Sequence, residues 1–401
     1  MHLVFVCYYS FASNSAAQTL SLANHLVELG IKCTVFVPFD RESAEAHREV
    51  RFDCPVFSDL PAWLEANAPD PARTLLIAWT PRENVRNFCQ RFLAAVPCRY
   101  VVHLEDNERL ITEVNLGRPF EELRQLAPES LDALVGPEAR LSHPLHFPRF
   151  IGAAAGITAL IDTLADFAPP DMSRHIFWPG YNPSFFSRSE IDYARRRTHG
   201  IDDTEMVLVY TGNVHSANRQ EVFSLYLAVG LLNRMGVRSR LVRAGEDYVQ
   251  VIGDQLAELR KHCVELGKVP HSEVGGLLAM ADILVQPGRA DSFNDYRFPS
   301  KVPEFFALGR PVIIPAANLG RFVRNGIDCL VLQRGDAIEI ADLVQALHAD
   351  PVRRVALSDA AVTFANEHFQ WKKIAVGFKD FALRILQGSP RSPLESNLTP
   401  P

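Results

Sequence analysis

Short, unbroken apolar runs alternate along this chain with longer amphipathic stretches, the pattern of parallel strands separated by helices. Leu3-Val-Phe-Val-Cys7 reads as a buried strand, Tyr8 to Ser15 as a polar loop, and Ala16 to Leu29 as a helix stopped by Gly30. With the next run, Cys33-Thr-Val-Phe-Val37, this predicts a right-handed parallel strand–helix–strand unit. Further runs at Thr74-Leu-Leu-Ile-Ala-Trp79, Arg99-Tyr-Val-Val-His103 and Gly156-Ile-Thr-Ala-Leu-Ile161 extend the same lobe. Pro, Gly and Asn break the pattern at Ile176-Phe-Trp-Pro-Gly-Tyr-Asn-Pro183, which reads as a linker.

The alternation then restarts. Strands are predicted at Val207–Thr211, Ser239–Arg243, Ile283–Gln286, Val312–Ile314 and Leu330–Leu332, and helices at about Arg219–Met235, Gln250–His262 and Ser272–Ala281. Asn325-Gly-Ile-Asp328 is a turn, and helices fill about Ala337–Leu386. The expected fold class is α/β, with two Rossmann-like doubly wound lobes facing each other across a cleft at the carboxyl ends of their sheets. Residues 1–178 form the first lobe, completed by a final helix over 374–388, residues 185–373 form the second, and 389–401, rich in proline, read as a disordered tail.

A length of 401 residues suits two lobes rather than one core, and 47% hydrophobic with 22% charged residues is ordinary globular material. The net charge of -6 argues against nucleic acid as a partner. Residues 1–185 hold 15 Lys and Arg against 22 Asp and Glu, leaving 26 against 25 in the remainder, so the acidity lies in the first lobe. No apolar run is long enough to span a bilayer, and the apolar start lacks a basic leader, which predicts a cytoplasmic protein. The seven cysteines form no CxxC pair and read as scattered reduced thiols.

Three common α/β chemistries are absent. The loop after the first strand, Tyr8-Tyr-Ser-Phe-Ala-Ser-Asn-Ser15, has no glycine and cannot be a G-x-G-x-x-G dinucleotide turn; neither a G-x-x-x-x-G-K-[ST] loop nor a G-x-S-x-G elbow occurs. What does stand out is Tyr296-Arg-Phe-Pro-Ser-Lys-Val-Pro-Glu-Phe-Phe-Ala-Leu-Gly-Arg-Pro-Val-Ile-Ile-Pro315. Ser300 can cap a helix, Lys301 and Glu304 lie on its first turn, and Gly309 ends it before a buried strand. A phosphate suits the helix start and the Lys, while a Glu can bind ribose hydroxyls; the same pair at i,i+3 is also an ordinary helix-surface pair.

On these residues the chain resembles a GT-B glycosyltransferase of the glycosyltransferase family 4 type over nearly its whole length. The segments that carry the likeness occur in order: Tyr210-Thr-Gly-Asn213, Arg243-Ala-Gly245, Leu266-Gly-Lys-Val-Pro270, Ala281-Asp-Ile-Leu-Val-Gln-Pro-Gly288, Pro299-Ser-Lys-Val-Pro-Glu304 and Ala307-Leu-Gly-Arg-Pro-Val312. The resemblance implies a nucleotide-diphosphate sugar as substrate rather than a cofactor, bound mainly by the second lobe. It implies an acceptor bound mainly by the first, no required metal, and retention of configuration at the sugar. The acceptor is left open as a glycan, a lipid-linked molecule or a small molecule.

Residue by residue, Glu304 matches the second glutamate of the family's E-x7-E pattern. The first is replaced by Tyr296, with Asp295 adjacent and Asp291 upstream. Asn213 stands where an Arg is usual and Arg219 where a Lys is usual, so Lys301 and Arg297 are expected to supply the missing charge. The implied donor site comprises Gly212, Asn213, Arg219, Arg243, Gly245, Val269, Arg297, Pro299, Ser300, Lys301 and Glu304. Backbone N–H groups near Gly212 and Ser300 are expected to help Arg219 and Lys301 hold the diphosphate. In the first lobe Tyr100-Val-Val-His-Leu-Glu-Asp-Asn-Glu108 places His103 and Asp106 just past a strand end, as further catalytic candidates beside Lys301 and Glu304. His143-Pro-Leu-His146 lacks a second ligand cluster in sequence and is not expected to bind metal. Arg195-Arg-Arg197 reads as a solvated helix face that could also touch an anionic membrane. Two readings compete with sugar transfer: a nucleotide-sugar epimerase or hydrolase on the same fold, and a catalytically silent binding protein or partner subunit.

Overall fold

The computed structural model describes residues 1–46 and 49–388, so the proline-rich tail lies outside the described residues. Twelve strands form two six-stranded sheets, every pairing parallel. The first contains β1 (His2–Cys7), β2 (Lys32–Phe36), β3 (Thr74–Trp79), β4 (Arg99–Leu104), β5 (Gly156–Ala159) and β6 (Arg174–Ile176), in the order β2-β1-β3-β4-β5-β6. The second contains β7 (Met206–Thr211), β8 (Ser239–Ala244), β9 (Cys263–Glu265), β10 (Ile283–Val285), β11 (Val312–Pro315) and β12 (Leu330–Leu332), in the order β12-β11-β10-β7-β8-β9. Every residue of β1, β3 and β7 is buried, as strands covered by helices on both faces must be. The expected two doubly wound α/β lobes are therefore present.

Strand order fixes where a ligand can sit. The order reverses between β1 and β3 in the first sheet and between β7 and β10 in the second, and crevices open at the carboxyl ends of such pairs. These ends carry Tyr8 and Thr80 in one lobe, Gly212 and Gly288 in the other.

Several elements depart from the sequence reading. The stretch expected to be a linker starts on the last residue of the edge strand β6 and is a packed crossing: Tyr181 N–H donates to Phe369 O at 3.1 Å, and Trp178 is buried among Phe298, Phe322, Phe364 and Phe369. Gln250–His262 is not an α-helix but a 3-10 segment, Asp254–His262, broken at Leu256 (φ -115°, ψ 19°), and β9 follows it directly. The last helix, Trp371–Gln387, lies on the first sheet: the Phe378 ring centroid is 5.9 Å from that of Phe5, and Arg99 Nη1 donates to Ile385 O at 2.5 Å. Gly156 in β5 makes room for it, since a Cβ there would come within 2.9 Å of Ile385 Cδ1 and 3.1 Å of Phe381 Cζ.

Candidate donor and acceptor site

The second lobe's switch point is built around glycine. Gly212, just past β7, has φ +145°, and a Cβ there would collide with Lys301 Nζ. Gly245, just past β8, has φ +135°, and its Cβ would collide with the Gly212 carbonyl. Two loops and one ammonium thus meet backbone to backbone, a packing only glycine permits. Lys301 is itself the N-cap of the short helix Val302–Ala307; Ser300, expected to cap it, makes no capping bond, because Pro299 O accepts the Val302 N–H and starts the turn one residue later. The Lys301 ammonium stands 4.0 Å from the Tyr210 ring centroid, and no carboxylate lies within ion-pair distance of it among the described residues.

Glu304, one turn on, is half-buried, and its carboxyl has no hydrogen-bond partner among the described residues. Burial pushes its carboxyl up to about 8, against the pull of Lys301. A perturbed carboxyl beside an unpaired cation at a switch point is what a binding site for a charged, hydroxylated ligand presents. Arg297 joins them: its guanidinium lies 3.9 Å over the Phe293 ring, hydrogen-bonds Asn294 Oδ1 at 2.8 and 3.1 Å and reaches Glu221 Oε2 at 3.4 Å. His215 completes the cluster, its ring 6.0 Å from that of Phe293 and its pKa lowered first by burial, then by the charges of Arg297 and Lys301. Sequence reasoning missed His215, Glu221 and Asn294; the only hint was the position of His215 three residues past Gly212.

Other expected donor residues are placed differently. The Gly212 N–H donates to Ala244 O at 2.8 Å and is not available to a phosphate. Asn213 is a loop brace, its Oδ1 accepting the Glu246 N–H at 2.9 Å. Arg219 is exposed, with Nε bound to Gln250 O at 2.6 Å, and no contact joins it to Lys301. Arg243 is buried and held by both oxygens of Asp247 at 2.6 Å, so its charge is already balanced. Beside it Arg243, Gly245, Asp247, Tyr248, Gly267 and Lys268 line an open cavity of about 490 Å³, next to the half-buried Val269. Pro299 is buried, and its carbonyl accepts the Val302 N–H at 3.0 Å. Tyr296, in the place of the missing glutamate, faces the first lobe instead, 5.5 Å from the Phe167 ring and 3.5 Å from Asp166 Oδ2.

Across the cleft, His103 is not past the strand end but inside β4 and fully buried. Its ring stacks 3.7 Å from that of Trp79, Nδ1 contacts Thr158 Oγ1 at 2.7 Å, and burial drives its pKa well down, so it stays neutral. The groups that reach the switch point are the carboxyls after it. Glu105 accepts from Trp79 Nε1 at 2.6 Å and is pushed up to about 7 by burial and then by Asp106. Asp106 is half-buried and raised by burial, while Arg82 from its own lobe and Arg297 from the other pull it down. Glu108 is buried against Arg82 at 3.3 Å and Ser142 at 2.8 Å. The Arg82 guanidinium in turn lies 3.9 Å over the Tyr8 ring.

Two other expectations concern sites elsewhere. Asp132, His143 and His146 do come together, with ligand atoms within 4.8 Å. The two imidazoles stack 3.9 Å apart at 19°, so their in-plane lone pairs run side by side rather than converging. His143 Nδ1 accepts the Leu145 and His146 N–H groups at 3.1 and 3.2 Å, which leaves its proton on Nε2, toward Asp132. With His143 Nδ1 taken by backbone N–H groups and the rings parallel, the cluster is poorly shaped for a cation. In the basic run Arg196 departs from a solvated face, buried on Asp282 at 2.8 Å; Arg197 is exposed beside Asp203 at 2.6 Å, and the half-buried Arg195 lies 3.7 Å from Asp192. Among the described residues no helix is long and apolar enough to cross a membrane.

Comparison with known proteins agrees with this geometry. Residues 205–350 match the family described as glycosyl transferases group 1. Anabaena HepE in complex with UDP superposes with a TM-score of 0.69 at 14% identity, covering 96% of this chain and all of that one. This chain has the GT-B fold, and its second lobe is similar to group 1 glycosyltransferases over the matched residues. WaaG, a glycosyltransferase involved in lipopolysaccharide biosynthesis, shares the GT-B fold at a TM-score of 0.61 and 15% identity, over 96% of this chain and 100% of WaaG. In sequence, D-inositol 3-phosphate glycosyltransferases of Pseudarthrobacter chlorophenolicus and Catenulispora acidiphila are 25% and 27% identical over 218 and 215 residues, or 52% and 50% of this chain. The chain spans about half the length of these curated relatives, 48% and 49%.

Proposed function

We propose that this GT-B protein is a glycosyltransferase that moves a sugar from a nucleotide-diphosphate sugar to a hydroxyl-bearing acceptor, with retention of configuration and without a required metal. The observation that carries this reading is the Lys301 ammonium, close against Gly212 at the switch point with no carboxylate within ion-pair distance among the described residues. Such a cation stabilises the diphosphate as it leaves and the sugar gains oxocarbenium character. Arg297 adds a second positive charge from the same side, so this chain's own residues supply the neutralisation that a divalent ion supplies in other transferases. Glu304 is positioned to accept hydrogen bonds from ribose hydroxyls once ionised. Asp106 faces the same space from the first lobe and would orient the acceptor hydroxyl or the transferred sugar.

The UDP complexes of HepE make uridine the first base to test, and the inositol phosphate named for the curated relatives puts that acceptor first in a panel with free sugars and lipid-linked glycans. Seven free cysteines and a nucleotide-sugar donor support a cytoplasmic setting. The test is thermal stabilisation of wild type and Lys301→Ala by UDP, GDP, ADP, TDP and their sugars, where a ligand at 100 times its Kd adds about 2.7 kcal/mol. A shift by one nucleotide, lost in the variant, supports the donor site and names its base. If none of these nucleotides shifts wild type, the silent binding-protein reading replaces this one.

A further inference from the structure

The basic position expected in the loop after β7 is occupied by Asn213, which carries no charge. Asn213 is committed to the Glu246 N–H, and the Arg219 Nε to Gln250 O, so neither occupies the place of a phosphate cation. Arg297 arrives from a different loop, the one that follows β10 on the other side of the switch point. Left alone, such a side chain would sample many rotamers; here two residues fix it. Asn294 is fully buried and accepts both Nε and Nη2 on one oxygen, at 3.1 and 2.8 Å. Asn294 is held in its turn, donating through Nδ2 to Glu221 Oε1 and accepting at its carbonyl from Asn318 Nδ2 at 3.0 Å. Glu221, in the first turn of helix Arg219–Arg234, balances Nη2 at 3.4 Å with a side chain only 11% exposed. Gly288 leaves the space this needs, since a Cβ there would sit 3.3 Å from Glu221 Oε1. With Nε and Nη2 occupied, Nη1 is the guanidinium nitrogen without a hydrogen bond among the described residues.

We propose that Glu221 and Asn294 are positioning residues that hold Arg297 as the second cation of the donor diphosphate site, in place of the basic residue lost at 213. The proposal rests on the donor reading above. A plain structural ion pair between loop and helix would make the opposite prediction: removing it would lower stability and leave ligand discrimination unchanged.

The measurement is the ratio of Kd for UMP to Kd for UDP, or for the equivalent pair if another base is selected, by calorimetry on the full chain. Arg297→Ala and Glu221→Ala should each lower this preference for the diphosphate by about tenfold, the size expected when a charge-assisted contact is lost, while UMP affinity changes less than about threefold. Together they should lower it no further than either alone, because both act through one guanidinium. Glu221→Gln keeps an acceptor oxygen and should stay within about threefold of wild type. Should Glu221→Ala fail to fold, Arg297→Lys decides, since it keeps the charge but not the fork that Asn294 grips. A folded Glu221→Ala, or an Arg297→Lys, with the wild-type ratio overturns the proposal. A wild type that binds no nucleoside diphosphate instead overturns the donor reading itself.

Discussion

At the scale of single residues, the cations near the switch point are not equivalent. Lys301 is unpaired and packed on Gly212, whereas Arg219 is exposed and spends its Nε on a backbone carbonyl. Lys301→Ala should therefore reduce donor turnover by about 10²–10³-fold, or about 2.7–4 kcal/mol, and Arg219→Ala by less than about tenfold, as steady-state kinetics of the two variants will show. Glu304 gives a pH dependence of defined sign. Its folded pKa of about 8 lies above the ordinary carboxylate value, so the free protein holds a proton there that the unfolded chain releases. Stability of the ligand-free protein should fall as pH rises from about 5 to 8, and Glu304→Gln should remove that component. Donor binding needs the ionised carboxylate, so donor KM should fall as pH is raised through 8 in wild type and stay flat in Glu304→Gln. A KM that rises over that interval would sink the ribose role.

Elements show why part of this site could be read in the sequence and part could not. The strands with continuous apolar runs, β1, β3 and β7, were legible because both faces are buried. The edge strands β6 and β9, three residues each, were not, for β9 is only partly buried and carries Glu265 at its end. The charged stretch Asp254–His262 has a helical spacing of residues but no buried face among those described, and it settles as a broken 3-10 turn. Lys301 and Glu304 were legible because they share one turn, whereas Glu221 and Arg297 meet only because β7 and β10 are neighbours in the sheet. His103 misled because the sequence, which ends the strand run at that residue, could not show that β4 continues to Leu104 and that the ring is buried on Trp79. The glycines carry the element-scale prediction. Gly245→Ala forces a side chain into the Gly212 carbonyl at a backbone conformation that costs on the order of 1–3 kcal/mol for other residues. It should lower the melting temperature and, by displacing the loop on which Lys301 rests, weaken nucleotide binding; nucleotide Kd left unchanged would show that the two loops move independently.

In the whole molecule the two lobes are joined by more than a linker. The chain passes from the first lobe to the second at 178–182 and returns at 369–371, and these passages lie side by side, with Gly180 against the Trp371 indole and Tyr181 bonded to Phe369 O. On the far side of the cleft Arg321 pairs with Asp162, and Thr163 Oγ1 donates to Asp295 O at 2.5 Å. The return passage delivers the last helix to the first sheet, where Phe378 is fully buried against Phe5, His175 and Phe177. A residue more than 350 positions from β1 in sequence is thus part of the core that holds Tyr8 and Glu105 in place. Phe378→Ala removes a buried ring and should cost about 3–5 kcal/mol. Because that ring packs on Phe5, His175 and Phe177 of the first lobe, hydrogen exchange should accelerate in β1 and β6 and stay unchanged in β7 to β12. Nucleotide binding, which we propose for groups of the second lobe, should survive in the variant wherever it remains folded, while acceptor-dependent turnover declines. Equal acceleration of exchange in both sheets would instead mean that the two lobes unfold as one cooperative unit, coupled through the paired crossings at 178–182 and 369–371.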